Sequence, residues 1–181
     1  YRELIDSIRY IPLGDECGVM GNIANIITYK GRFYIQEEQF DRVFIYDDTG
    51  RCLKKIDNKG RGPGEYLRIE SIDINTEKEE LMLVDGMSDK LFFYDLDGNF
   101  KSIHSIRYFQ TENTLCLRDS VFLHISAPSQ NFGNEGLYGY ALVLSKGNEN
   151  FLKGYRYLPL QVGYKGGGQI YEEIHYLLNI E

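Results

Sequence analysis

Two stretches of this chain are copies of one another. Arg42-Val43-Phe44-Ile45-Tyr46-Asp47-Asp48-Thr49-Gly50 and Lys90-Leu91-Phe92-Phe93-Tyr94-Asp95-Leu96-Asp97-Gly98 match end to end, from 42 to 90 and from 50 to 98, an offset of 48 residues. A repeat of this length belongs to solenoids and propellers, in which each unit buries its apolar faces against its neighbours. Inside each unit, apolar and polar residues alternate between turn signals, and no long segment carries a helical period. The joint between the copies, Lys59-Gly60-Arg61-Gly62-Pro63-Gly64-Glu65-Tyr66, leads into another strand rather than a helix. The pattern predicts an all-β chain of β-propeller blades, each made of four antiparallel strands.

The first full blade is expected over 22–56, with strands at 22–29, 32–37, 42–47 and 51–56. A second runs over 69–106, with strands at 70–75, 80–85, 90–95 and 99–106. A third, over 114–158, keeps the strand pattern at 114–117, 121–127, 140–145 and 151–158, but its second-to-third connection grows to 128–139. Loops of that length are often functional. A fourth unit begins within 169–181, after a second Lys-Gly-x-Gly at 165–168, and residues 1–13 read as a strand that closes a ring. Three units and the start of a fourth fall short of the four to eight or so blades of closed propellers, so the expectation is an incomplete ring. An open array would leave strand edges for further blades or a second chain to cover.

The 181 residues are 43% hydrophobic and carry 20 Lys+Arg against 27 Asp+Glu, a net charge of −7. That balance offers no general field for a phosphate backbone, so nucleic acid is not an expected partner. Cys17, Cys52 and Cys116 are odd in number and far apart, and read as small buried hydrophobes rather than a disulfide framework. No apolar run approaches membrane-spanning length. The chain opens on Tyr1 with no Met, no basic n-region and no apolar h-region, so the expectation is that any targeting peptide has been removed or was never included.

Joint and repeat together resemble the six-bladed β-propeller proteins common in gut Bacteroidota, which are similar in pattern to NHL-repeat propellers. The likeness spans nearly the whole chain and rests on Ile11-Pro12-Leu13, on Gly60-Arg61-Gly62-Pro63-Gly64-Glu65-Tyr66, and on Phe44-Ile45-Tyr46-Asp47-Asp48-Thr49-Gly50 with its copy ending at Gly98. It implies an exported envelope protein of the periplasm or cell surface, often lipid-anchored, and a ring of roughly twice this length. It carries no activity over to particular residues. The joint at 108–113 departs from the pattern, having no glycine.

In a propeller the joints and the second-to-third strand loops emerge on one face, at the mouth of the channel. Candidate ligand contacts there are Arg61, Glu65, Tyr66 and Arg68 from the joint, and Asn131, Phe132, Asn134 and Tyr138 from the long loop. Gln130 and Glu135 of the long loop, and Asp85 and Asp89 of the second blade, are expected on the same face. Rings flanked by amides and carboxylates suit a sugar, a peptide or a partner protein. Glu65 and Tyr66 are read first as residues that hold the turn, whereas Arg61 sits at a loop tip with no steric duty. Glu37 with Arg42, and Asp85 with Lys90, recur at matched positions and are expected to tie neighbouring strands.

Chemical motifs fail on their context. Gly60-x-Gly62-x-Gly64 has the wrong spacing for a dinucleotide fingerprint and precedes a strand. Asp95-x-Asp97-Gly98-Asn99 begins like a calcium loop, but its twelfth position is Ile106, and a hairpin turn parallel to Asp47-Asp48-Thr49-Gly50 is the better reading. His104, His124 and His175 fall on different elements, with structural roles expected for each. Neither a catalytic residue, a metal ligand nor a cofactor is assigned. The leading expectation is a non-catalytic binding propeller of the bacterial envelope, whose ligand is a glycan, peptide or envelope protein. The alternative is a metal-dependent propeller enzyme, lactonase- or lyase-like, with its site on the channel axis.

Overall fold

In a computed structural model, residues 7–106, 113–125, 140–147 and 150–156 of the chain are described. They form twelve strands in three four-stranded antiparallel sheets. Blade 1 is β1 (Ile23–Tyr29), β2 (Arg32–Glu37), β3 (Arg42–Asp47) and β4 (Cys52–Ile56); blade 2 is β5 (Ser71–Asn75), β6 (Glu80–Asp85), β7 (Lys90–Asp95) and β8 (Phe100–Ser105). Blade 3 is β9 (Asn113–Cys116), β10 (Val121–Ile125), β11 (Tyr140–Lys146) and β12 (Asn150–Arg156), with a 3-10 turn at Arg118–Ser120 before β10. In every blade, strands adjacent in sequence are neighbours in the sheet, the meander of a propeller blade. The chain divides into two units, Tyr1–Ser105 with blades 1 and 2, and Ile106–Glu181 with blade 3. The expected fourth unit at 169–181 lies outside the described residues.

The repeat is structural down to its turns. In β3–β4, the Asp47 side chain accepts hydrogen bonds from the backbone N–H groups of Thr49 and Arg51, both at 3.0 Å. In β7–β8, Asp95 accepts from the N–H groups of Asp97 at 3.0 Å and Asn99 at 2.8 Å. Each turn ends on a left-handed glycine, Gly50 at φ 89° and Gly98 at φ 79°, a conformation costly for any residue with a Cβ. A register shift follows in both ladders, between Ile45 and Tyr46 and between Phe93 and Tyr94, so the bulge repeats with the turn. These are hairpin turns, as the sequence indicates.

The main core lies between blades 1 and 2. Tyr34, Val43, Ile45 and Ile56 from one face of blade 1 meet Ile72, Leu81, Leu83 and Phe92 of blade 2, with Tyr66 and Ile69 of the joint among them. Below this core Arg32 donates to the Leu96 carbonyl at 2.8 Å and to Asp97 Oδ1 at 2.7 Å, linking the blades at their turns.

The other face of blade 1 buries Ile35, Phe44, Tyr46 and Cys52 against Cys17 and Met20 of the leading segment. Residues 7–22 contain no strand; they form a strap across blade 1. Gly14 N–H donates to the Gly50 carbonyl at 2.8 Å and the Tyr46 hydroxyl to the Gly14 carbonyl at 3.2 Å. Cys17 and Cys52 are joined in a disulfide, with Cα atoms 5.9 Å apart. This corrects the expectation that the cysteines are unpaired hydrophobes: 35 residues separate them in sequence, and only the strap's path brings them together. Cys116 takes no part in a disulfide.

At Gly50 a Cβ would also collide with the Pro12 carbonyl oxygen of the strap. Gly50→Ala is therefore expected to cost about 1–3 kcal/mol, the usual scale for forcing a side chain into a left-handed position. Urea unfolding would read this, and an unchanged midpoint would show that the strap does not press on the turn.

Candidate functional site

The joint is built around one carboxylate and one phenol. Glu65 folds back to accept a hydrogen bond from Gly62 N–H at 2.7 Å, and a Cβ at Gly60 would run into its carboxyl group. Tyr66 has no exposed surface; its ring meets Phe92 edge-on at 6.0 Å. Its hydroxyl donates to the Asp41 carbonyl at 2.8 Å and accepts from Asn58 N–H at 3.1 Å. Burial pushes the phenol pKa far up, so it stays protonated and keeps donating.

Asp41, in the β2–β3 loop, ties that loop to the joint. Its backbone is left-handed, φ 55°, and its carboxylate accepts from Ile69 N–H at 3.1 Å while pairing with Lys59. Loop and joint thus meet on one face of blade 1. In blade 2 the position of Asp41 is taken by Asp89, also left-handed at φ 53°. Burial, then the charge of Asp85, push the Asp89 carboxyl pKa up.

The paired positions behave differently in the two blades. Arg42 Nε donates to Glu37 Oε2 at 3.0 Å, the cross-strand tie expected. Asp85 stands opposite Lys90 in the ladder, but its carboxylate turns to the joint and the next loop, accepting from Leu67 N–H at 2.7 Å and from the Ser88 hydroxyl at 2.7 Å. The expected Asp85 and Lys90 tie is therefore corrected. A shorter side chain opposite unpaired backbone N–H groups satisfies those donors first.

Where loop and joint meet, a cleft of about 390 Å³ opens, lined by Asn22, Ala24, Gln36, Glu38, Gln39, Asp41, Arg68, Ile69 and Glu70. Gln36 is only 3% exposed; its amide nitrogen donates to the Ile69 carbonyl at 3.0 Å and the Glu70 carbonyl at 3.3 Å. Arg68 is well exposed at the rim, with Nε 3.2 Å from Glu70 Oε1. The wall holds three carboxylates and three amides against one guanidinium, so it is rich in hydrogen-bond acceptors.

Of the residues expected to contact a ligand, Arg68 lines this cleft, Arg61 is exposed on the joint, and Glu65 and Tyr66 hold the joint's shape. Asn131, Phe132, Asn134 and Tyr138 lie outside the described residues, as do Gln130, Glu135 and His175. Sequence reading missed Gln36, Glu38 and Gln39 of the cleft wall. Phe40 is 51% exposed, with the Arg42 guanidinium 4.4 Å from its ring centroid. The polar residues Glu38 and Gln39 of the four-residue turn were the available signal for the cleft.

The histidines sit elsewhere. His104 packs against Phe93 with ring centroids 5.0 Å apart, and His124 is buried between Thr114 and Ser145. Among the described residues no cluster of three or more His, Cys, Asp or Glu could hold a metal, and no helix is long and apolar enough to cross a membrane.

A family described as a domain of unknown function, DUF4934, matches residues 1–173. The chain belongs to the DUF4934 family. Among solved structures, this DUF4934 chain is similar to a Bacteroides fragilis protein described as exported, at TM-score 0.72 and 18% identity, over 83% of this chain and 42% of that one. A Bacteroides caccae protein matches at TM-score 0.52 and 11% identity over 72% of this chain and 48% of its own. The U3-55K protein matches at TM-score 0.51 and 10% identity, over 74% and 39%. The DUF4934 chain thus spans less than half of each of these structures. With its three antiparallel four-stranded sheets, it has the fold of β-propeller blades. Comparison with curated proteins returns no match.

Proposed function

We propose that this DUF4934 chain is part of a non-catalytic binding propeller of the bacterial envelope, which takes its ligand on the face where joints and second-to-third strand loops meet. The observation that carries the reading is the cleft of about 390 Å³ at that meeting point, within the size range of ligand sites. Asp41 and the Tyr66 hydroxyl fix its walls before any ligand arrives. Such preorganisation removes part of the ordering cost of binding. Arg68 and Arg61 are the cations offered on this face, and Glu65 and Tyr66 act by keeping the joint in place.

The Cys17–Cys52 disulfide supports an oxidising compartment, and the Bacteroides relative described as exported supports the periplasm or cell surface. We read the described blades as part of a six-bladed ring, a reading supported by the larger size of the B. fragilis structure.

A thermal-shift scan separates this reading from a metal-dependent enzyme, because a ligand that binds only the folded state raises its melting temperature. Chelator, then calcium, zinc or magnesium, is expected to leave the transition unchanged. A loss with chelator that one metal restores would overturn the non-catalytic reading.

A further inference from the structure

We propose that the cleft on blade 1 receives the cationic head of a lysine or arginine side chain from a peptide segment, with the buried Gln36 amide oxygen and the Glu38 carboxylate as its acceptors. This rests on the binding reading above and adds the ligand class.

The first support is the orientation of Gln36. Of the side chains that line the cleft it is the most enclosed, at 3% exposed. Its Nε2 donates to the Ile69 carbonyl at 3.0 Å and to the Glu70 carbonyl at 3.3 Å. Carbonyls only accept, so the nitrogen is the end that faces the joint and Oε1 is turned away from it. Oε1 has no hydrogen-bond partner among the described residues. A buried acceptor without a donor is costly, and in the wall of an open cleft an N–H group from a ligand removes that cost.

The second support is the balance of charge. Three carboxylates line the cleft, and two of them already have cations. Asp41 pairs with Lys59 and also accepts from Ile69 N–H, while Glu70 pairs with Arg68 at 3.2 Å. Glu38 lines the same wall with no ion pair among the described residues. One unpaired amide oxygen and one surplus carboxylate accept but do not donate. They match N–H donors that carry a single positive charge, which an ammonium or a guanidinium supplies.

Other ligand classes fit less well. An anion would meet the surplus carboxylate, since the Arg68 guanidinium is already beside Glu70. A polyamine brings several charges to a wall in which Lys59 and Arg68 occupy two of the three carboxylates. A sugar hydroxyl satisfies an acceptor and leaves the Glu38 charge unmatched. Ala24 and Ile69 are the apolar residues of the wall, and the methylene stem of lysine or arginine lies along such surface while its head reaches a polar group.

The test titrates the full-length protein, at low salt, with four blocked pentapeptides that differ only in a central lysine, arginine, glutamate or glutamine between glycines. A mixture of neutral oligosaccharides is titrated separately, and binding is read by NMR shift perturbation and calorimetry. The lysine and arginine peptides are expected to bind, to shift the Gln36 side-chain amide signals, and to weaken as salt is added. Glu38→Gln should reduce their affinity about fivefold, the upper scale of an exposed ion pair, and Glu38→Lys should abolish binding. Both variants should keep the wild-type melting temperature, and Glu38→Asp should retain most of the affinity. Basic peptides that bind Glu38→Lys as well as wild type, or no better than the glutamine peptide binds wild type, overturn the proposal. Binding of the glutamate peptide or of a sugar where no basic peptide binds overturns the ligand class and leaves the binding reading standing. If no probe binds, both fall.

Discussion

Replacing Cys17 and Cys52 together by serine is expected to lower the stability of the unit Tyr1–Ser105 by about 4 kcal/mol, the largest single effect foreseen for this chain. The disulfide closes a loop with a sequence separation of 35, and the chain-entropy relation assigns about that much to a closure of this length. The consequence is local as well as global. Cys17 and Met20 cover the face of blade 1 formed by Ile35, Phe44 and Tyr46, so a released strap would uncover an aromatic surface. Equilibrium urea unfolding at neutral pH would measure the loss. Reductant added to the wild-type protein should reproduce it, and the same reductant should do nothing to the double variant. Wild-type stability in the double variant would mean that the strap stays docked through its hydrogen bonds and apolar contacts without the covalent link.

The strap also shows where sequence reading stops. Strands β2, β3, β6 and β7 are legible to the residue, because each is an apolar block bounded by charged residues that end the ladder. Their neighbours β1, β4, β5 and β8 start or end a residue away from the expected bounds, since glycine bulges and unpaired edges decide those ends rather than side-chain pattern. The disulfide was not legible: a pairing depends on the path of an irregular segment, and the strap has no periodicity to report it. Asp85 was misread for a related reason. Its register partner is Lys90, but the backbone N–H of Leu67, from a distant joint, claims the carboxylate. The cleft was half legible. Arg68 stood out as a charged residue on the joint, whereas Gln36 lies inside a strand and Glu38 and Gln39 inside a turn, and only the fold brings them to one place.

Blade 3 is expected to lose stability as the pH falls from about 6.5 towards 4, through His124. The imidazole is 4% exposed and lies between Thr114 Oγ1, 3.0 Å from Nδ1, and Ser145 Oγ, 2.9 Å from Nε2. Ser145 in turn donates to the Gly147 carbonyl at 3.2 Å, so Nε2 carries the proton and Nδ1 accepts from Thr114. The neutral ring braces three strands, β9, β10 and β11, in one chain of hydrogen bonds. Burial lowers its pKa from 6.5 to about 4, because a charged imidazolium would have to be desolvated there. In the unfolded chain the ring takes up a proton near pH 6.5, while in the folded blade it resists until about pH 4. Between those values the unfolded state binds more protons, so stability rises with pH, is fully present above about 6.5, and is lost as the pH drops towards the folded value. The linkage amounts to about 3 kcal/mol across the window. His124→Phe keeps much of the volume and removes the titration, so its unfolding free energy should depend less on pH between 7 and 4.5 than that of the wild type. The carboxylates and the other two histidines are common to both proteins and cancel in the difference. At neutral pH the variant should be less stable, because the Thr114 and Ser145 hydroxyls lose their shared partner, a loss of about 1–3 kcal/mol. Parallel pH profiles for the two proteins would mean that His124 is charged and solvated in the folded blade, and that the brace through Thr114 and Ser145 does not hold.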